Sequence, residues 1–325
     1  MSAPLMRVEG VSRSFRAGGG WLARGRDVLA VRAVDLEIAR GEAVGVVGES
    51  GCGKSTLGRL MLRLMRPSAG RILFDGRDLA TLDGGALRRL RRRMQLIFQD
   101  PYGSLDPRRR VGDQIADGIL IHHLADRRAA RDRVAALLRQ VGLEPPHAAR
   151  LPHEFSGGQR QRIAIARALA TGPDFVVADE PVSALDMSVQ AQVVNLLADL
   201  RAELGLALLF ISHDLPVVRH LADRVVVMYL GRIVEAGPTR AVFATPAHPY
   251  TRALLAATPS LDRATARAPA AVAGEPPDPA APPSGCGFRT RCPHAIADCA
   301  QTVPDLRTVA ADHRAACLRD SAVFG

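Results

Sequence analysis

One side chain stands apart in this sequence. Of its 43 basic residues a single one, Lys54, is a lysine, and the other 42 are arginines. Lys54 sits in the run Gly48, Glu49, Ser50, Gly51, Cys52, Gly53, Lys54, Ser55, Thr56, which has the spacing G-x-x-x-x-G-K-[ST]. A compact ammonium can enter a narrow nest of backbone amides that a planar guanidinium cannot. Such a loop, placed ahead of a helix, turns successive amides and the free N–H groups of the helix start toward phosphate oxygens. In that arrangement Lys54 bridges β- and γ-phosphate oxygens, and the Ser55 hydroxyl is the expected magnesium ligand. Cys52 is expected to face away from the phosphates as a filler.

A second set of reactive groups lies further along. Phe175-Val176-Val177-Ala178 is an apolar run ending in Asp179 and Glu180. Acids at the carboxyl end of a parallel strand lie where ligands of such sheets bind. Asp179 is expected on magnesium, through water, and Glu180 is placed to polarise an attacking water. Phe155-Ser156-Gly157-Gly158-Gln159 opens a helix through Ile163, Ala164, Arg167 and Leu169. A serine and two glycines at a helix start are either a further anion site or a plain N-cap with a glycine turn.

These groups need a scaffold to bring them together. Ala43 to Val47 reads as a buried strand, and Leu57, Leu60, Met61 and Leu64 follow the loop at helical spacing. Strand, glycine loop and helix in that order are what the motif requires. Residues Val8 to Ile38 suggest strands broken at Gly18-Gly19-Gly20, and Ile72 to Gly76 reads as a small hairpin. From Ala86 to about Ala170 the pattern is mostly helical, with Val134, Leu137, Leu138 and Val141 on one face. Phe175 to Ala178, Leu206 to Ile211 and Val225 to Met228 read as apolar strands, and Val189 to Leu204 as a helix. The alternation indicates an α/β fold with a mainly parallel sheet covered on both faces.

Bulk properties narrow the class. At 325 residues and 47% hydrophobic content, one large or two modest domains can bury a core, built from Ala, Val, Leu and Ile because aromatics are only 4%. No apolar stretch approaches the ~18 residues that span a bilayer, and no secretory h-region opens the chain. A cytosolic protein, or one peripheral on the cytosolic side of a membrane, is expected. The formal charge of +10 is densest at Arg88-Arg89-Leu90-Arg91-Arg92-Arg93. A solvated helix face is the first reading of that run, lipid headgroups or a partner the second, nucleic acid the third. No interleaved aromatics offer a base-stacking platform.

With the phosphate loop, Gln99, the Ser156-to-Gln159 run, Asp179-Glu180, Ser183-Ala184-Leu185-Asp186 and His213, the chain resembles the ATP-binding-cassette (ABC) ATPases. Phe155 departs from the leucine usual in that family, ahead of the phosphate contacts. The resemblance implies a P-loop NTPase fold with ATP and Mg²⁺ as ligands. It also implies an ABC ATPase domain over residues 1–240, with a helical subdomain at about 100–170. By the same resemblance Gln99 reaches magnesium and the attacking water, and the loop from Phe98 to Asp106 touches a membrane subunit. Ser156, Gly157, Gly158 and Gln159 complete the ATP site of a partner subunit, His213 contacts the γ-phosphate, and Asp186 links the two sites. Phe15 is the better candidate to stack on adenine and Trp21 the poorer. Two subunits would sandwich two ATP molecules and part on hydrolysis.

Finer likeness comes from Asp100-Pro-Tyr-Gly-Ser-Leu-Asp-Pro107, Ala178 to Asp186 and His248-Pro-Tyr-Thr-Arg-Ala-Leu-Leu255. These are similar to the F-type ATPase subunits of bacterial dipeptide and oligopeptide importers. That likeness implies a second ABC ATPase as heterodimer partner, two membrane permeases, an extracytoplasmic solute-binding protein acting indirectly, and work at the cytoplasmic face of the cell (inner) membrane. It further implies an importer-type C-terminal helix at 241–265, a Pro/Ala-rich tether at 266–285 and a small Cys-bearing extension at 286–325. Cys286, Cys292, Cys299 and Cys317 are spaced C-x5-C-x6-C-x17-C. In a cytosolic chain a metal or cluster is favoured over disulfides. A [4Fe–4S] cluster, zinc and plain reduced thiols all stand as readings, zinc weakened by the absence of paired C-x2-4-C spacing. The tail is expected to be otherwise structureless. Importers of nickel or other small solutes are the nearest alternative. Soluble ABC ATPases of DNA repair or translation, which carry two cassettes or a long coiled-coil insertion, are the remote one, and no nucleic-acid partner is expected.

Overall fold

The computed structural model describes residues 3–17, 26–257 and 274–319. Trp21, the Gly18-to-Gly20 turn and the first part of the tether, 266–273, lie outside the described residues. Along the chain come β1 (Met6–Ala17), β2 (Arg26–Ile38), β3 (Ala43–Val47), α1 (Lys54–Met61), β4 (Ala69–Phe74), β5 (Arg77–Asp78) and α2 (Gly84–Arg91). Then follow β6 (Met94–Ile97), α3 (Pro101–Ser104), α4 (Val111–Ile121), α5 (Arg127–Gln140), α6 (Gly157–Leu169), β7 (Phe175–Asp179), α7 (Met187–Leu204) and β8 (Ala207–Ile211). The last elements are α8 (Leu215–Leu221), β9 (Arg224–Tyr229), β10 (Arg232–Pro238), α9 (Thr239–Ala244), α10 (Pro249–Ala257), β11 (Arg307–Ala310) and β12 (His313–Ala315).

The continuous apolar runs become strands buried on both faces, as parallel strands under helices must be. Strands β9, β3, β8, β7 and β6 pair in parallel in that order, and β10, β12 and β11 extend the sheet antiparallel at one edge. A separate antiparallel sheet runs β2-β1-β4-β5. Two cores result. One joins the sheet to α4–α8, with Ile115, Ile119, Val134, Leu138, Ile163 and Phe210 among its members. The other packs α1 and the antiparallel sheet against the opposite face, with Leu57, Leu60 and Met61 fully buried.

Several local expectations are corrected. Helix α1 stops at Met61, because Arg63 takes a left-handed conformation (φ +53°), and Leu64 is half exposed rather than on the buried stripe. Strand β6 interrupts the region expected to be helical; its four residues pair with β7 and give no helix-breaking signal of their own. The arginine run is only partly a solvated face. Arg88, Arg89 and Arg92 are exposed, whereas Arg93 lies beyond α2, pairs with Asp75 and Asp174, and stacks on Phe74. The tail is not structureless either: β12 pairs with β10, so the cysteine-bearing segment completes the main sheet.

Candidate functional site

The glycine loop leaves β3 and returns as α1, and its glycines are required by close backbone approach. Gly48 (φ +148°) and Gly53 (φ +106°) lie in backbone regions that favour glycine. A Cβ on Gly48 would lie 2.2 Å from the Met228 carbonyl oxygen, and one on Gly53 2.1 Å from that of Ala30. Lys54 opens α1 and is almost wholly buried. Its Nζ donates to the Gly48 carbonyl at 2.7 Å and the Glu49 carbonyl at 3.0 Å. The ammonium is thus folded over its own loop, and no side chain caps the start of α1. Cys52 is buried behind the loop in the second core, and burial pushes its thiol up.

Beside Lys54, the Ser55 hydroxyl donates to Asp179 Oδ1 at 2.6 Å. Asp179 ends β7 and is buried. Two hard oxygen donors at this separation fit a magnesium ion. Glu180 follows with φ +47°, a left-handed turn that costs a non-glycine residue about 1–2 kcal/mol. Its N–H donates to the carbonyl of Ile211, the last residue of β8, at 2.9 Å. The turn takes Glu180 out of line with the strand, and its Oε2 accepts from Gln99 Nε2 at 3.1 Å and lies 3.4 Å from His213 Nδ1. Gln99 comes from just past β6 and His213 from just past β8. The carboxyl ends of three adjacent parallel strands therefore assemble an amide, a carboxylate and an imidazole, the expected location for chemistry in such a sheet.

Ser156 caps α6 through a reciprocal box: its Oγ accepts from Gln159 N–H at 3.3 Å and Gln159 Oε1 accepts from Ser156 N–H at 3.0 Å. Gly158 faces α7, where a Cβ would lie 2.4 Å from Val189. Asp186 precedes α7 with no side-chain cap bond. Ser156 and Asp186 are exposed, as is Met187 at 86%. Neither stretch hydrogen-bonds to the phosphate loop among the described residues. Phe15, on β1, is half-buried, with the Arg13 guanidinium 4.9 Å from its ring centre.

The C-terminal segment reaches this site, which sequence reasoning missed. Tyr250 of α10 is fully buried and its hydroxyl accepts from Glu49 N–H at 2.8 Å. Arg291 Nη1 and Nη2 donate to the two Glu49 carboxylate oxygens at 2.8 and 2.9 Å. Glu49, expected as a phosphate-loop residue, also turns its amide to α10 and its carboxylate to the tail. Tyr250 lies within the His248-Pro-Tyr run, but nothing in the sequence distinguishes Arg291 among 42 arginines. The tail is further fastened by Glu235, whose Oε1 lies 2.7 Å from His313 Nε2, with both residues buried.

Burial pushes up the thiols of Cys286, Cys292 and Cys317, Cys292 to about 11, and neighbouring cysteines push them further. The Cys286 N–H donates to the Cys299 carbonyl at 2.8 Å. This bond brings Cys286 and Cys299 together along the backbone. Among the described residues, however, no three His, Cys, Asp or Glu side chains converge as a metal site requires, so neither the zinc nor the cluster reading finds a formed site.

Residues 31–183 match the family described as ABC transporter, and residues 234–299 match the oligopeptide/dipeptide transporter C-terminal region. A Brucella ovis protein named for peptide import and ATP binding is 53% identical over 318 residues, 98% of each chain. The dipeptide transport ATP-binding protein DppF of Escherichia coli is 47% identical over 307 residues, 94% of this chain and 92% of that one. The oligopeptide transport ATP-binding protein AppF of Bacillus subtilis is 49% identical, covering 90% and 89%. Among solved structures, the ATP-binding cassette MJ0796, in a dimeric post-hydrolysis state with ADP and Pi, aligns with TM-score 0.65 at 28% identity. That alignment covers 72% of this chain and 99% of that one. CbiO1 of Clostridium perfringens, part of the transporter complex cbiONQ, aligns with TM-score 0.64 at 29% identity, covering 75% and 92%.

Proposed function

The chain belongs to the ABC transporter family, and from that premise we propose that its phosphate loop and strand-end cluster bind and hydrolyse ATP to power import of di- and oligopeptides across a membrane. The observation that carries this reading is the joint placement of Ser55 with Asp179, and of Glu180 with Gln99 and His213, at the mouth of the loop. The match at 234–299 to a peptide-transporter segment supports the cargo class. It speaks against the soluble ABC ATPases of DNA repair or translation.

In this reading Lys54 leaves its own loop carbonyls for phosphate oxygens, and the free amides of the α1 start complete the cradle. Ser55 and Asp179 are the residues that would hold magnesium, which supplies neutralisation of phosphate charge when bound. Glu180 accepts a proton from the attacking water while Gln99 orients that water and His213 faces the terminal phosphate. Phe15 stacks on adenine. Ser156, Gly157, Gly158 and Asp186 act across a face-to-face pair of ATPase subunits, consistent with the exposure of Ser156 and Asp186. A terminal phosphate shared by two subunits favours the closed pair, and its removal lets them part.

The pair is assigned as a heterodimer with a second ATPase, seated under two permeases at the cytoplasmic face, with an external binding protein delivering cargo. No helix among the described residues is long and apolar enough to cross a membrane itself. Residues 1–240 are assigned as the ATPase domain and 286–325 as the cysteine-bearing extension. For that extension we propose a [4Fe–4S] cluster on Cys286, Cys292, Cys299 and Cys317 with a stabilising role; its support is four soft donors within one short extension, which must draw together to hold it. Anaerobic purification should give absorbance near ~400 nm with bound iron and sulfide, lost in Cys292→Ser; colourless, iron-free protein retires the cluster. For the main reading, the chain is reconstituted with its permeases and partner ATPase in a membrane. ATPase activity stimulated by peptide and its binding protein is expected, and activity indifferent to peptide overturns the cargo class.

A further inference from the structure

One peptide plane of the phosphate loop is gripped from both sides. The Gly48 carbonyl accepts from Lys54 Nζ at 2.7 Å, and the N–H of the same peptide, on Glu49, donates to the Tyr250 hydroxyl at 2.8 Å. In a trans peptide these groups point in opposite directions, so the two partners together fix the rotation of the plane. The neighbouring Glu49 carboxylate is clamped bidentately by Arg291, whose side chain is 5% exposed.

The clamp rests on a rigid platform. The Arg291 guanidinium lies 5.9 Å from the Tyr229 ring centre, and Tyr229 packs on Tyr250 at 4.6 Å and on Phe288 at 5.4 Å. Gly231 N–H donates to the Cys52 carbonyl at 2.9 Å, so the segment after β9 holds the loop from behind. Tyr250 and Arg291 lie 201 and 242 residues from Glu49 in the chain, so neither contact is a by-product of local chain geometry.

We propose that Arg291 and Tyr250 are positioning residues for ATP: they set the Gly48–Glu49 peptide, and through it Lys54, so that the docked tail and bound nucleotide stabilise one another. The proposal rests on the reading of Gly48 to Thr56 as the ATP loop. Lys54 cannot serve phosphate oxygens without loosening its grip on the Gly48 and Glu49 carbonyls. Loop order then depends on the contacts from the tail. Because coupling between two binding events is reciprocal, nucleotide in the loop must also tighten the tail.

The test uses two conservative variants of the full chain. Tyr250→Phe removes one hydroxyl and keeps the ring, and Arg291→Lys keeps the charge but not the two-pronged geometry. Each is expected to weaken nucleotide binding about threefold to tenfold. In the assembled transporter the loss should appear in KM for ATP rather than in kcat. Adding ADP should slow amide hydrogen exchange of residues 284–317 in the unaltered chain and do so much less in either variant. A merely structural role would leave that nucleotide dependence in place. Affinity within twofold of the unaltered chain in both variants, with ADP still protecting the tail, overturns the proposal. Lys54→Ala is measured alongside: unaltered nucleotide binding there brings down the loop assignment itself, whereas lost binding there with unaffected Tyr250 and Arg291 variants brings down only the coupling.

Discussion

The strand-end cluster and the tail dock are built on opposite logics. At the strand ends, Gln99 and His213 reach Glu180 at 3.1 and 3.4 Å, His213 is 61% exposed, and Glu180 sits in a strained turn. At the dock, Glu235 is fully buried and saturated: Ala247 N–H and His248 N–H donate to it at 2.7 and 3.0 Å, and His313 closes the set. The first region keeps its groups loosely committed so that a substrate can claim them. The second spends its polar groups on one another and holds its geometry. Changes in the first should alter rate with little effect on stability, and changes in the second the reverse.

The sharpest way to break that division is Glu180→Gln. Turnover should fall by about 10²–10⁴ while ATP is still bound, with the melting temperature unchanged or slightly raised. Near-normal ATPase would take Glu180 out of its role, and a large loss of stability would erase the contrast. At the dock, Glu235→Ala strands a buried imidazole and two amides, so unfolding should become easier by about 3–5 kcal/mol in denaturant titrations. A change below about 1 kcal/mol would mean that water replaces the carboxylate at little cost.

A third test is pH. Burial lowers the His248 pKa to about 4, against the opposing pull of the Glu235 charge and a bond to the Ala316 backbone. Unfolded, the same imidazole titrates near about 6.5. Between those values the unfolded chain binds a proton that the folded chain excludes. Stability is therefore full above about pH 6.5 and declines as pH falls toward 4, by up to about 3 kcal/mol. Urea midpoints measured from pH 7 to pH 4 should show this acid limb, and His248→Phe should flatten it. An identical limb in the variant would assign the proton elsewhere. The smallest effect is expected at Phe15→Ala, with KM for ATP up roughly fivefold from about 1 kcal/mol of lost stacking and kcat preserved. An unmoved KM would place adenine on another residue.

What could be read from residue order differs between the same two regions. Lys54, Ser55, Asp179 and Glu180 sit at the ends of apolar runs such as Ala43–Val47 and Phe175–Asp179, whose burial alone dictates a strand. The strand ends then place the reactive groups together, so the spacing carried the geometry. The dock had no such carrier. Strands β11 and β12 have four and three residues, too short for an alternation to register, and they form because β10 offers a partner. Strand β6 was hidden behind the arginine run for a related reason, since pairing with β7 rather than its own composition sets it. Arg291 acquires its role only when folding brings it to Glu49.

The β11–β12 hairpin also decides what the rim of the large sheet offers to its surroundings. Without it, β10 would expose unpaired backbone donors and acceptors along its outer side, a template on which other chains can add strands. With it, the outermost strand on that side is four residues long and begins with an exposed arginine, Arg307. The carboxyl-terminal segment thereby discourages sheet-to-sheet aggregation between copies of the chain.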